Sequence, residues 1–249
     1  MTDPAALVTG AARRIGRAIA LALHEAGYAV AIHARNSVAD AETLREEITR
    51  AGGRAAVVRA DLADHAAAAA LLPAARAAIG PLTLLVNNAS SFEPDEIGAL
   101  DAARFDRQFA VNLRAPLFLA EAFAAQAEEG ASIVNILDQR VFKLTPHFVS
   151  YTLAKSALHA ATRMLAQALA PRVRVNAIAP GPTVRSLRQQ PEDFARQAAA
   201  VPLGRGPTPQ EIAAAVIYLA GAPSVTGVTL AVDGGQHFAW QTPDASVTE

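Results

Sequence analysis

The feature that most constrains this chain is an alternation that runs almost from end to end. Short apolar runs carrying Val and Ile lie at Ala5 to Thr9, Ala29 to His33, Ala55 to Ala60, Thr83 to Asn87, Ser132 to Leu137, Arg174 to Ile178 and Thr229 to Val232. Between them come longer stretches of helical period at Arg14 to Ala26, Ala39 to Ala51, Ala63 to Ile79, Ala102 to Glu128, Tyr151 to Ala170 and Gln210 to Ala220. Such repetition reads as successive strand–helix–strand units, which lay consecutive strands parallel in one sheet. Runs such as Leu84, Leu85 and Val86 are apolar without alternation, so the strands should be buried on both faces by helices. The expected fold class is therefore α/β: a single-domain, doubly wound, parallel seven-stranded sheet spanning residues 1–240.

Two segments stand outside that pattern. The stretch from Pro182 to Pro207 is polar, proline-bounded and placed after the C-terminal end of a strand, where such sheets bind ligands, so it reads as a substrate lid over 182–207. Residues 241–249 read as a solvated C-terminal tail. Composition then removes whole classes of function. Hydrophobic residues make up 52% of the 249, enough for a sizeable core and against disorder. A net charge of −1 gives no field to hold nucleic acid or a membrane surface. With no cysteine, disulfides, thiolate metal sites and cysteine nucleophiles are excluded, and the six histidines include no pair four apart, so no metal site is expected. The N-terminus shows no export signal and no 18-residue apolar run occurs, which predicts a soluble, cytoplasmic protein.

Chemistry is concentrated at the strand ends. The first strand runs into Thr9-Gly10-Ala11-Ala12-Arg13-Arg14-Ile15-Gly16, and a helix follows at once. Gly10 permits the tight turn, Gly16 permits close helix packing, and the first-turn N–H groups attract phosphate oxygens. Gly10, Arg13, Arg14, Ile15 and Gly16 thus form a candidate pyrophosphate site, the other reading being a plain strand-to-helix connection. The second strand ends in Arg35-Asn36-Ser37 without the carboxylate that holds a ribose 2′-OH. A cation with small donors suits a 2′-phosphate instead, favouring NADPH/NADP+ over NAD, although a solvated strand-end arginine would look the same. Farther on, Tyr151 and Lys155 lie four apart on one helix face. A free phenol titrates near ~10, and a neighbouring ammonium would lower it and let Tyr151 act as a general acid.

Taken in order, the glycine turn, Asp61-Leu62, Asn87-Asn88-Ala89, Asn112, Tyr151-Thr152-Leu153-Ala154-Lys155, Pro180-Gly181 and Val232-Asp233-Gly234-Gly235 make residues 5 to 238 resemble the short-chain dehydrogenase/reductase family. That resemblance implies a Rossmann-like subunit of strand order 3-2-1-4-5-6-7, a nicotinamide cofactor, hydride transfer to a small-molecule substrate and a homotetramer. It also implies that Asp61 and Leu62 border the adenine, and that Asn88, Ala89 and Ser90 border the nicotinamide ribose. Lys155 beside Tyr151 would hold that ribose, Pro180, Gly181 and Thr183 would lie near the cofactor, and Asn112 would position a water behind the lysine.

Two departures from the family pattern and one further feature narrow the reading. Asp138 stands thirteen residues before the tyrosine, where a serine is usual, and a carboxylate there can relay or share a proton with the phenol; a core carboxylate capping a strand end is the alternative. Arg14 replaces the middle glycine and would turn a guanidinium toward the phosphates and the substrate. Asn88 to Phe92 ends in an aromatic ring able to stack on a flat heterocycle, or simply to fill core. In combination these features are similar to the pteridine reductases and dihydromonapterin reductases. The likeness implies a pterin held between nicotinamide and Phe92, with Ser90 and Arg14 on its polar edge and Asp138 with Tyr151 as proton source. Two other readings stay open: an NADPH-dependent carbonyl or 3-oxoacyl reductase, and a cofactor-binding protein without turnover.

Overall fold

The computed structural model describes residues 3–186 and 188–240, so the tail expected at 241–249 lies outside the described residues. Seven strands form one sheet: β1 (Ala5–Val8), β2 (Ala29–Ala34), β3 (Ala55–Arg59), β4 (Leu84–Asn87), β5 (Ala131–Ile136), β6 (Val173–Pro180) and β7 (Thr229–Val232). Their order is β3-β2-β1-β4-β5-β6-β7 and every pairing is parallel, in agreement with the expected topology. Register follows the apolar runs, for example Leu7 against Leu85 and Leu85 against Ile133.

Successive side chains of a strand point to opposite faces, and each face has its own helices. Leu7, Leu85, Ile133 and Val175 pack beneath α3 (His65–Ile79), α5 (Ala115–Gln126) and α6 (Val149–Leu169) through Leu71, Leu72, Leu119, Phe123 and Ala166. Val8, Val86, Val134 and Ile178 pack beneath α1 (Arg14–Glu25), α2 (Val38–Arg50) and α8 (Pro209–Gly221) through Ile19, Leu23, Leu44, Ile48 and Val216. Helix ends follow local chemistry. Asp64 accepts the Ala66 and Ala67 N–H groups at the start of α3, and Thr208 with Glu211 forms a reciprocal cap on α8.

One expectation is corrected. The single helix expected over Ala102 to Glu128 is α4 (Ala102–Phe109), a π-helical turn over Ala110–Arg114, and α5, which ends at Gln126. The wider turn admits an extra residue without breaking the apolar stripe, which is why periodicity does not show it. The stretch 182–207 contains a helix of its own, α7 (Pro191–Ala199), whose first turn carries Glu192 and Asp193 and which buries no residue. Among the described residues no helix is long and apolar enough to cross a membrane.

Candidate active site

All strands point the same way, so their C-terminal ends share one edge, and the chain reverses its winding there between β1 and β4. The site is assembled at that edge. Gly10 adopts φ +62° and its N–H donates to Nδ1 of the buried His33 at 3.0 Å, while His33 Nε2 lies 3.1 Å from the Ala60 carbonyl. These contacts fix the Nε2–H tautomer, and burial lowers the pKa of the imidazole. One neutral ring thereby ties together the ends of β1, β2 and β3. Gly16 is equally constrained: a Cβ there would lie 2.3 Å from the Gly10 carbonyl oxygen and 2.6 Å from Asn88 Nδ2. Asn88 donates from that amide to the Thr9 and Gly10 carbonyls, and Thr9 Oγ1 accepts from Asn88 and Ala89 N–H.

Helix α1 starts at Arg13 with no side-chain cap and no acidic residue in its first turn, so its leading amides are left available, while Ile15 packs into the core beside them. Arg14 sits at φ +56°, a conformation natural to the glycine it replaces and uncommon for other residues. Its guanidinium donates to the Val184 and Arg185 carbonyls at 2.9 and 2.8 Å, so in this structure it fastens the start of the 182–207 stretch to the β1–α1 turn. Arg188, farther along the same stretch, donates to the Phe92 carbonyl and to Glu93. At the end of β2, the half-exposed Arg35 is 3.8 Å from Asp61, which Arg107 also contacts at 3.3 Å. Asn36 follows it, exposed, and Ser37 begins α2 with no side-chain cap. Leu62 is buried in the core beside α3. Pro180 closes β6, and Gly181 passes so near Asp233 that a Cβ would meet its Cα at 2.6 Å. Thr183 Oγ1 donates to the Gly181 carbonyl at 3.0 Å.

On the other side of the edge, α6 brings Tyr151 and Lys155 to the end of β5. A buried amide ladder aligns the helix: Asn87 donates to Asn135, Asn135 to Thr162, and Thr162 to the Leu158 carbonyl. A polar residue inside each of two apolar strands was the sequence signal for this ladder. Tyr151 Oη donates to Asp138 Oδ2 at 3.1 Å, and Lys155 Nζ donates to the Ile136 carbonyl at 2.6 Å. The expected lowering of the phenol is overturned. Burial, and then the Asp138 charge, raise Tyr151 well above the ordinary tyrosine value, with Arg140 and the Ser90 hydroxyl acting against them. Lys155 is brought down to about 8 by burial, against the opposing effect of Asp138. The lysine is anchored to the β5 carbonyl, with its Nζ 5.9 Å from the centroid of the Tyr151 ring.

Asn112, in the π-helical turn, is fully buried. Its Oδ1 accepts from Ser90 Oγ at 3.0 Å and from Ser91 N–H at 3.1 Å, and its Nδ2 donates to the Ser91 carbonyl at 2.8 Å. It therefore clamps the loop that leads to Phe92. That ring stacks on Phe148 at 4.3 Å and 7° and meets Tyr151 edge-on at 4.7 Å. Sequence reading missed Phe148, which holds φ +58° at the start of α6, and Asp95, whose buried carboxylate accepts from Ser150 N–H and Oγ while its carbonyl accepts from Phe148. Nothing in a lone phenylalanine or aspartate marks such a pairing across 55 residues.

A parallel sheet of this order, carrying Tyr-x-x-x-Lys and an Asn clamp at its ligand-binding edge, defines a class of oxidoreductase. Residues 10–237 match the family described as enoyl-(acyl carrier protein) reductase, and the chain belongs to the short-chain dehydrogenase/reductase family. Among solved structures, FolM alternative dihydrofolate reductase 1 from Brucella suis, in complex with NADP, is 52% identical with a TM-score of 0.94, covering 97% of this chain and 98% of that one. Pteridine reductase 1 of Leishmania tarentolae is 36% identical over 282 residues, covering 94% of this chain and 96% of that protein. The 2-dehydro-3-deoxy-D-gluconate 5-dehydrogenase of Dickeya dadantii is 33% identical over 240 residues, covering 92% and 94% respectively.

Proposed function

We propose that this protein is an NADPH-dependent reductase of pteridines, acting on the C=N bond of a dihydropterin. The observation that carries the reading is the Tyr151–Asp138 hydrogen bond, which puts a carboxylate on the phenol at the place of the usual serine. Likeness to the Brucella FolM protein and the Leishmania pteridine reductase supports it.

The residues present fit the cofactor. An α1 start without cap or acid suits a pyrophosphate between Gly10 and Gly16, and the acid-free end of β2 suits a 2′-phosphate on Arg35 with Asn36 and Ser37. Asp61 and Leu62 would flank the adenine, while Ala89, Ser90, Tyr151 and Lys155 would hold the nicotinamide ribose, with Pro180, Gly181 and Thr183 beyond it. When bound, NADPH supplies the hydride. Tyr151 gives its proton to the nitrogen on which charge develops, and Asp138 orients the phenol and passes a proton back from solvent. Phe92, backed by Phe148, offers its ring to a planar substrate, with Ser90 and Arg14 near the polar edge.

Steady-state kinetics on dihydropterin and on simple ketones test the assignment. Asp138→Asn should keep NADPH binding and melting temperature yet cut dihydropterin reduction at least tenfold, the low end for a proton-transfer group being about a hundredfold when the group is removed outright. Asp138→Ser should stay poor on dihydropterin and gain on ketones. Full dihydropterin activity in Asp138→Asn would refute the reading. A carbonyl or 3-oxoacyl substrate is the second reading, favoured by the family description and the Dickeya relative; ketone activity in the wild type exceeding dihydropterin activity would select it. Binding of NADPH with turnover of neither substrate would leave the non-catalytic reading. Assembly as a homotetramer belongs to the same proposal, and light scattering should then give four times the 25.9 kDa chain mass.

A further inference from the structure

Arg140 lies in the short 3-10 turn Gln139–Val141 that follows Asp138, and its contacts are distributed unusually for a surface arginine. Its backbone N–H donates to Asp138 Oδ1 at 2.9 Å, and its Nη1 lies 3.4 and 3.3 Å from the two carboxylate oxygens. The guanidinium carbon is also 5.6 Å from the Phe92 ring centroid and 5.2 Å from that of Phe148. Side-chain exposures of 20% and 18% for the two partners remove most of the solvent screening that makes exposed ion pairs weak. Its Nε is buried without a hydrogen-bond partner among the described residues.

An ion pair this far out of water is a poor device for stability alone, because desolvation offsets the attraction. Its position suggests another use. The charged or titratable groups facing the Tyr151–Asp138 pair are Arg140 from the turn after β5 and Lys155 from α6; from the β4 side the facing group is the neutral Ser90 hydroxyl. Lys155 is committed to the Ile136 carbonyl, which leaves Arg140 as the cation in contact with Asp138.

We propose that Arg140 is the positioning residue of proton delivery, holding Asp138 charged and aligned on Tyr151 Oη so that the pair's proton rests on the phenol, and holding the Phe92–Phe148 wall against that pair. The proposal rests on the reading of Tyr151 and Asp138 as the proton source. When the phenol protonates the substrate nitrogen, the O–H bond breaks, an N–H bond forms and the pair carries two negative charges until solvent returns a proton. A fixed guanidinium at 3.3 Å stabilises that doubly charged arrangement without having to reorganise.

Two variants separate charge from packing. Arg140→Met keeps an adaptable apolar chain against the rings and removes the cation; Arg140→Lys keeps the cation. With 7,8-dihydropterin and saturating NADPH, Arg140→Met should lower kcat at least tenfold. The acid limb of its pH profile, where the pair takes up a further proton, should move upward by about one pH unit, since an opposite charge at this range favours the ionised form. NADPH affinity should stay within about twofold of wild type. Arg140→Lys should keep the limb in place and recover most of the rate. Wild-type kcat and limb in Arg140→Met, or the same shifted limb in Arg140→Lys, would overturn the proposal. If Arg140→Met does not fold, as judged by melting and NADPH titration, Arg140→Lys decides alone, a displaced limb counting against. Slow Asp138→Asn and Tyr151→Phe enzymes beside an unaffected Arg140→Met remove only the role of Arg140, whereas unaffected Asp138→Asn and Tyr151→Phe remove the underlying reading as well.

Discussion

Tyr151 keeps its proton because burial and the Asp138 charge both disfavour the phenolate. Under the proposed function, a phenol so held is a poor acid toward water and a useful one toward a nitrogen that becomes basic only as hydride arrives. Tyr151→Phe should therefore bind NADPH as wild type does and lose at least about a hundredfold in turnover, the usual scale for a general acid; stopped-flow and steady-state rates check it. Lys155 carries a pH signature. Its ammonium is brought to about 8, so the charged form declines as pH rises through that value. Cofactor affinity that depends on the ammonium should weaken between roughly pH 7 and 9, the bracket about that value, and a fluorescence titration series would show it. Tyr151 and Lys155 were legible in the sequence because they share a helix face, and Asp138 because it stands where the family resemblance implies a serine. Arg140 and Phe148 were not, since an ion pair in a turn and a left-handed backbone at a helix start leave no periodic trace.

Among elements, the β1–α1 turn has little freedom. A methyl group on Gly16 would strike a carbonyl oxygen and the Asn88 amide, both held by the hydrogen bonds that join β1 to β4. Gly16→Ala should cost about 1–3 kcal/mol of stability as an overpacking change and weaken NADPH at least tenfold, the two being separable by denaturant melts and binding titrations. Unaltered binding would move the phosphate site elsewhere. Strands and covering helices could be read directly because the apolar runs and the 3.6-residue stripes are set by burial on a two-faced sheet. The π-helical turn around Asn112 could not, because it changes the phase of one turn while Ala110, Val111, Ala115 and Leu119 on either side stay buried. Helix α7 also escaped notice, having no apolar face to advertise it.

At the scale of the molecule, one edge of one sheet gathers contributions from seven strands and the 182–207 stretch, so a ligand there should stabilise the whole. NADPH at a hundred times its Kd adds about 2.7 kcal/mol, which for a domain of this size raises the melting temperature by roughly 5–10 °C. NADH at the same concentration should raise it less, and Arg35→Ala should abolish the difference; equal shifts for both cofactors in the wild type would sink the NADPH assignment. The His33 bridge gives the same edge an acid limit. In the native protein burial lowers the pKa of the ring, while in the unfolded chain it takes up a proton below about 6.5. The unfolded state then binds more protons, and stability falls as pH falls through that value. His33→Gln, which retains a donor and an acceptor and cannot titrate, should melt with a flatter pH dependence below 6.5. Since the ring joins three strand ends at the nucleotide side, acidification should loosen the cofactor half ahead of the half that carries Tyr151, so that an acid-stressed enzyme would shed its reductant before it loses its catalytic groups.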